Sequence, residues 1–347
     1  MLVYKQKYPF SAFVAVVVAL ASLLAGCSSA PSASPSGTGG GTRAVSFGLP
    51  GVPPIFLNTV MEVAKDKGLF AKRNVEVTLR PLPTGADVGR AVQSGELDGG
   101  LIGTPGAVAL RAAGGSVVGI MGFPTPTYLL ASTDASVSDC KSMKGKTVAV
   151  DALGAPKALA LTSMLASCGL AKNDVSTINV GGPPTVDALV NGQVTLAVLH
   201  PDELATVRAK AGKEVKQVMT LAQVDPLAHY TTVVTLKKEL DDATSRQTWV
   251  DVVAALHEAI AYMSVPANAG EVAAIAAKMT GRTPQVSEEA LKGFLTVGVW
   301  PKDDGLGRPS IEHTIEEAVA AGNIPKAKAP TYEQMIDTSV FADAVKG

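Results

Sequence analysis

Residues 10–26 form one apolar run, preceded by Lys5 and Lys7 and closed by Leu24-Ala25-Gly26-Cys27. A charged start, an apolar middle and small residues before a cut site predict an export signal. The run is at or below the shortest length that spans a bilayer as a helix, so a cleaved leader fits better than a permanent span. Residues 28–42, SSAPSASPSGTGGGT, have no apolar period and read as a flexible tether.

From Ala44 onward two periods alternate. Residues 44–48 read as a strand. Residues 55–67 place Leu57, Val60, Met61 and Ala64 on one side of a helix that Gly68 closes. Residues 75–79 alternate as a strand, 87–94 as a short helix and 97–102 as another strand. Thr104-Pro105 predicts a helix start with Thr104 as N-cap, and 117–121 is a further strand. The rhythm then repeats: strand 146–150, turn 151–156, helix 157–167, strand 177–180, helix 184–190, strand 195–199, and a helix opened by His200-Pro201-Asp202-Glu203.

Residues 231–236 are β-like and return the chain to the first unit. The helices predicted over 245–262, 269–278, 287–296 and 310–321 are rich in alanine and read as cladding. Trp249, His257 and Tyr262 read there as packing or surface. Strands alternating with helices predict an α/β protein with parallel or mixed sheets. Two such units predict two lobes, residues 44–130 with 231–347 and residues 131–230.

Composition narrows the function. The formal net charge of −1 falls to near −3 once Lys5 and Lys7 leave with the leader, and no basic stripe is present, so nucleic acid is not an expected partner. The four histidines, His200, His229, His257 and His313, include no close pair and no zinc-ligand spacing, so no metal and no cofactor are expected. Beyond Cys27 there are two cysteines, Cys140 and Cys168. Outside the cytoplasm a disulfide between them is expected, closing a loop worth roughly 3–4 kcal/mol; two buried free thiols are the alternative. Neither has the context of a catalytic thiol.

Leu24-Ala25-Gly26-Cys27 resembles a bacterial lipobox, which implies cleavage before Cys27 and a lipid on its thiol. The block Gly68-Leu69-Phe70, Val75-Glu76-Val77, Gly85, Gly95-Glu96-Leu97-Asp98-Gly99-Gly100 and Gly103-Thr104-Pro105 resembles periplasmic substrate-binding proteins of ABC importers. The subgroup is that for sulfonates, taurine, nitrate and thiamine-type pyrimidines. Gly192-Gln193-Val194-Thr195-Leu196-Ala197 echoes the block, with Thr195 where the first copy has Asp98. The resemblance covers about residues 45–240 and implies a type II two-lobed fold with two crossover strands, near 129–130 and 230–233. It also implies a monomer, lipid-anchored outside the cell membrane or periplasmic, that hands a small organic solute to an ABC permease.

Ligands of open α/β sheets sit beyond the carboxyl ends of strands, against helix N-termini. Four segments qualify: 51–56, 103–106, 153–156 and 200–202. The candidate ligand-binding residues are Pro54, Phe56, Thr104, Pro105, Tyr128, Asp151, Gly154, Ala155, His200 and Asp202. No arginine stands at these strand ends, which favours a weakly charged or aromatic ligand over a strong anion. Lys157 reads as a first-turn surface residue. A sensory lipoprotein with the same pocket, and a thiamine-pyrimidine enzyme on the same fold, are the competing functions. The export signal and the lack of a catalytic set favour a binding protein.

Overall fold

The computed structural model describes residues 41–151, 156–180 and 183–346. The expectations for the leader, Cys27, Gly154 and Ala155 lie outside them. Ten strands are present: β1 (Arg43–Pro50), β2 (Val75–Leu82), β3 (Gly99–Gly103), β4 (Val117–Phe123), β5 (Leu129–Ser132), β6 (Thr147–Val150), β7 (Ser176–Asn179), β8 (Leu196–Leu199), β9 (Lys216–Thr220) and β10 (Thr231–Leu236). They form two five-stranded sheets, in the orders β2-β1-β3-β10-β4 and β7-β6-β8-β5-β9.

Both sheets are mixed, with helices packed on them, as a type II binding-protein fold requires. In each, four strands run in one direction, and the strand in fourth position, which arrives from the other lobe, is antiparallel to both its neighbours. β5 directly follows β4 in the chain and β10 follows β9. Segments 124–128 and 225–230 are therefore the two connections between lobes.

The internal echo has a hydrogen-bonded basis. Asp98, just before β3, accepts from the Ser46 N–H and hydroxyl of β1, both at 2.7 Å, and its carbonyl accepts from the Thr235 hydroxyl of β10 at 2.8 Å. Thr195, just before β8, occupies the matching position. Its N–H donates to the Thr147 hydroxyl of β6 at 3.0 Å, and its carbonyl accepts from the Ser132 hydroxyl of β5 at 2.8 Å. A carboxylate can only accept, so it pairs with a donor-rich serine. Two threonines do the same stitching with hydroxyls. The departure from an acid at Thr195 thus keeps the junction.

Around the first sheet, Phe47, Leu49, Leu101 and Ile120 pack against helix Thr59–Asp66 and the long helix Ala243–Met263. The alanine-rich segments do clad the core, and Trp249 is 2% exposed. Its ring lies against Gly99. A Cβ there would overlap the indole and stand 2.7 Å from the Val234 carbonyl oxygen, while one at Gly100 would meet Val88. The Gly99-Gly100 pair thus lets two helices, Ala243–Met263 and Gly85–Ser94, settle on the sheet. In the second lobe, Val148, Val150, Leu196 and Val198 pack on Leu161, Met164 and Leu165 of helix Pro156–Ser167. Cys140 and Cys168 are bonded, with Cα atoms 5.4 Å apart, tying that helix's end to the turn Lys141–Met143.

Several expectations change. Gly103, not Thr104, is the N-cap, and helix Thr104–Ala112 begins with Thr104 itself. β9 was not predicted, because Lys216 and Gln217 interrupt its apolar pattern on a sheet edge. Among the described residues no single helix is long and apolar enough to cross a membrane.

Gly99→Ala should lower the unfolding free energy by about 1–3 kcal/mol through overpacking against Trp249. Replacing Cys140 and Cys168 together by serine should cost roughly 3–4 kcal/mol from loop closure. Urea unfolding of each variant checks both, and losses under about 0.5 kcal/mol would contradict these packing and cross-link accounts.

Candidate functional site

A cavity of about 360 Å³ lies between the lobes, within the range of small-molecule pockets. One wall is the loop after β1, from Gly51 to Leu57, with Phe294 behind it. The facing wall is the start of helix Pro201–Ala211, contributing His200, Asp202, Glu203 and Thr206. Tyr230 of the second connection and Arg282 complete it. Both walls follow the carboxyl ends of strands, β1 in one lobe and β8 in the other.

The first wall is apolar. Pro53 and Pro54 fix the loop's φ angles. Phe56 stacks on Phe294 at 4.9 Å between ring centroids, and Phe294 stacks on Trp300 at 5.6 Å. Phe56 is 1% exposed, so it serves as both core and pocket wall.

The second wall carries charges that are already paired. Asp202 is held by Arg282, whose Nε donates at 3.0 Å and whose second nitrogen also bonds it. Glu203 takes the Lys157 ammonium on both oxygens at 2.7 Å. It also accepts the His200 backbone N–H at 2.8 Å, closing the helix start. Lys157 is 7% exposed, which corrects its reading as a surface residue: its ammonium is committed to Glu203. Lys210, further along the same helix, pairs with Asp187 at 2.9 Å.

His200 joins the pocket to the connections between lobes. Its Nδ1 lies 2.7 Å from the Thr127 hydroxyl, and its ring stands 4.6 Å from that of Tyr128. Tyr128 meets Tyr230 edge-on at 5.5 Å. Burial lowers the His200 pKa, so the imidazole is neutral at pH 7. Burial also raises the Tyr128 phenol well above its ordinary range and pushes Tyr230 up to about 12, so both stay protonated donors.

Of the predicted site residues, the fold brings Pro54, Phe56, His200 and Asp202 to one cavity. Tyr128 backs it through His200 and Tyr230. Asp151 instead accepts the N–H groups of Lys157 and Ala158, at 3.1 and 3.2 Å, as the cap of helix Pro156–Ser167. Pro105 is exposed and does not line the cavity. Thr104 is fully buried, with its hydroxyl taken by His229 Nδ1 at 2.7 Å and by Thr232 at 2.8 Å.

Arg282 was missed. It lies between helices Ala269–Thr280 and Pro284–Val297, far in sequence from any strand end. No local signal marks it. Only helix Pro284–Val297 docking on helix Pro201–Ala211, with Pro201 against Gly293, brings it to Asp202.

His229 is a buried strut of the second connection. Its Nε2–H donates to the Gly305 carbonyl at 2.7 Å. A carbonyl only accepts, so the neutral ring leaves Nδ1 to accept from Thr104, whose oxygen accepts from Thr232. Burial lowers its pKa.

Residues 58–269 match the family model described as NMT1/THI5 like. The fold is similar to the periplasmic aliphatic sulphonate binding protein SsuA from Escherichia coli, with a TM-score of 0.67 and 17% identity over 85% of this chain and 92% of that one. The alkanesulfonate-binding protein SsuA from Xanthomonas axonopodis pv. citri, bound to MOPS, matches at 0.63 and 15% identity, over 86% and 99%. The periplasmic nitrate-binding protein NrtA from Synechocystis PCC 6803 matches at 0.68 and 14% identity, over 88% and 89%. At these identities the likeness is one of fold. No curated protein matches the sequence.

Two outcomes follow. Lys157→Met leaves Glu203 buried without its partner and should cost about 3 kcal/mol by urea unfolding at pH 7; a loss below 1 kcal/mol would contradict the pairing. For His229, the folded pKa is depressed, so below about pH 6.5 the unfolded chain binds a proton that the folded chain resists. Stability is then lost as pH falls from about 6.5 toward the folded pKa. The loss between pH 7.5 and 5.5 should be smaller in His229→Gln than in the parent; equal losses would contradict this.

Proposed function

The chain belongs to the NMT1/THI5-like family, and from that premise we propose that it is an extracytoplasmic solute-binding lipoprotein of an ABC importer. Its role is transport, not catalysis. It captures a small organic solute between its lobes and presents it to a membrane permease, tethered through a lipid on Cys27.

The observation that carries this reading is the cavity itself, walled by the loop after β1 in one lobe and by the helix start after β8 in the other. A ligand there touches both lobes, so its binding energy favours their approach. Hinge closure of rigid lobes around connections 124–128 and 225–230 is the corresponding motion.

The chemistry of the walls selects among solutes. Phe56, Phe294, Pro53 and Pro54 offer a flat apolar face. Opposite, Asp202 and Glu203 are each neutralised by a cation, so this wall presents polarity without excess charge. Neutral His200 and the Tyr230 phenol supply directed hydrogen bonds. Such a pocket suits an aromatic or pyrimidine-type ring with one polar head, in preference to a compact inorganic anion. An aromatic acid or arylsulfonate fits the same description, its anionic group set toward Arg282.

A thermal-shift screen of alkanesulfonates, nitrate, aromatic acids and pyrimidines tests this. An aromatic or pyrimidine compound should raise the melting temperature by several degrees, a shift that Phe56→Ala loses through the missing ring face. Nitrate giving the largest shift, or a shift unchanged in Phe56→Ala, would contradict the ligand class. No binding of any organic solute would contradict the function.

A further inference from the structure

We propose that Asp225, His313 and Glu317 form a binding site for a divalent transition-metal ion of the zinc class. The site is separate from the cavity, to which none of the three contributes.

His313 and Glu317 stand one turn apart on helix Arg308–Ala320, an i,i+4 spacing that places both on one face. Buried Ile311 and Ile315 hold the opposite side of that helix in the first lobe's core. Asp225 caps the short helix Leu221–Val224, where the second connection between lobes begins. The sequence offered no metal spacing because the third ligand is far away in the chain and only the crossover brings it in.

The donor atoms converge. His313 Nε2 lies 3.1 Å from Asp225 Oδ1 and 3.7 Å from Glu317 Oε1, and the three donors lie within 4.8 Å of one another. Zinc takes N and O ligands at about 2.0–2.2 Å in tetrahedral array, which sets its ligand atoms roughly 3.3–3.5 Å apart. The two imidazole distances bracket that edge.

A second observation points the same way. His313 Nε2 has essentially no solvent-accessible surface and no hydrogen-bond partner, although two carboxylates flank it. An ordinary ion pair would turn the N–H onto one oxygen. Here Nε2 makes no hydrogen bond to either carboxylate, close as both stand. One imidazole and two carboxylates are a borderline-hard donor set, and three protein donors are the number a zinc site with a water in its fourth position uses.

Such an ion would bind segment 225–230, which carries His229 and Tyr230, to the helical layer of the first lobe. It would brace one of the two connections without touching the solute.

The test uses purified protein stripped with EDTA. Zinc chloride is titrated while thermal unfolding is followed, and cobalt(II) chloride is titrated while visible absorption is recorded. A saturable rise of several degrees with zinc is expected, together with the intense visible bands of four-coordinate cobalt. His313→Gln and Asp225→Asn should each weaken both by more than the roughly 10–100-fold lost with an outer-shell partner. His257→Gln, outside the cluster, should retain them. The cobalt spectrum of Asp225→Asn keeps the proposal testable if His313→Gln fails to fold. Absence of a saturable shift in the parent protein, or equal shifts in parent and Asp225→Asn, would overturn the site and leave an ordinary ion pair.

Discussion

The Lys157–Glu203 ion pair is the contact on which the candidate site depends. It is nearly buried, with both carboxylate oxygens on one ammonium. A lone buried carboxylate would be costly, and so would a lone ammonium. Together they fix the first turn of helix Pro201–Ala211, because Glu203 also accepts the His200 N–H. With Glu203 committed inward, the neighbouring Asp202 is left facing the cleft. Arg282 reaches Asp202 from the helices that pack on the first lobe. The polar wall of the cavity is thus assembled from both lobes.

The same helix start sets the pocket's geometry. His200 occupies in the second lobe the place of Gly103 in the first, since β3 and β8 align through Asp98 and Thr195. A glycine there leaves room, and a histidine fills it. That histidine bonds Thr127 and packs its ring at a tilt on Tyr128, both in the first connection. Tyr230 of the second connection packs on Tyr128. His200 and Tyr230 of the cavity wall thus pack on both connections between the lobes. On the proposed closure, contact at the cavity would reach those connections through packed rings.

Much of this was legible in residue patterns. Alternation at 75–79, the Gly-Pro punctuation and the doubled rhythm of strands and helices carried the two-lobed α/β fold. The helix starts at Gly51–Phe56 and at His200-Pro201 pointed to two walls of one cavity. What escaped reading depended on tertiary packing. Thr104 looked like an N-cap, because local rules see its hydroxyl and not the buried His229 that claims it. Lys157 looked solvated, because nothing nearby in sequence announces Glu203. Arg282 and the Asp225–His313 meeting join residues that only the return of the chain through β10 brings together. Asp151 had the right strand end, but its carboxylate closes its own helix.

The most direct test of the central claim is a crystal structure of the protein grown with the solute that shifts its melting temperature most. The account predicts density for one organic molecule between Phe56 and His200, touching residues of both lobes, with its polar head toward Arg282 or Tyr230. Density confined to one lobe, or bound away from that cavity, would contradict it.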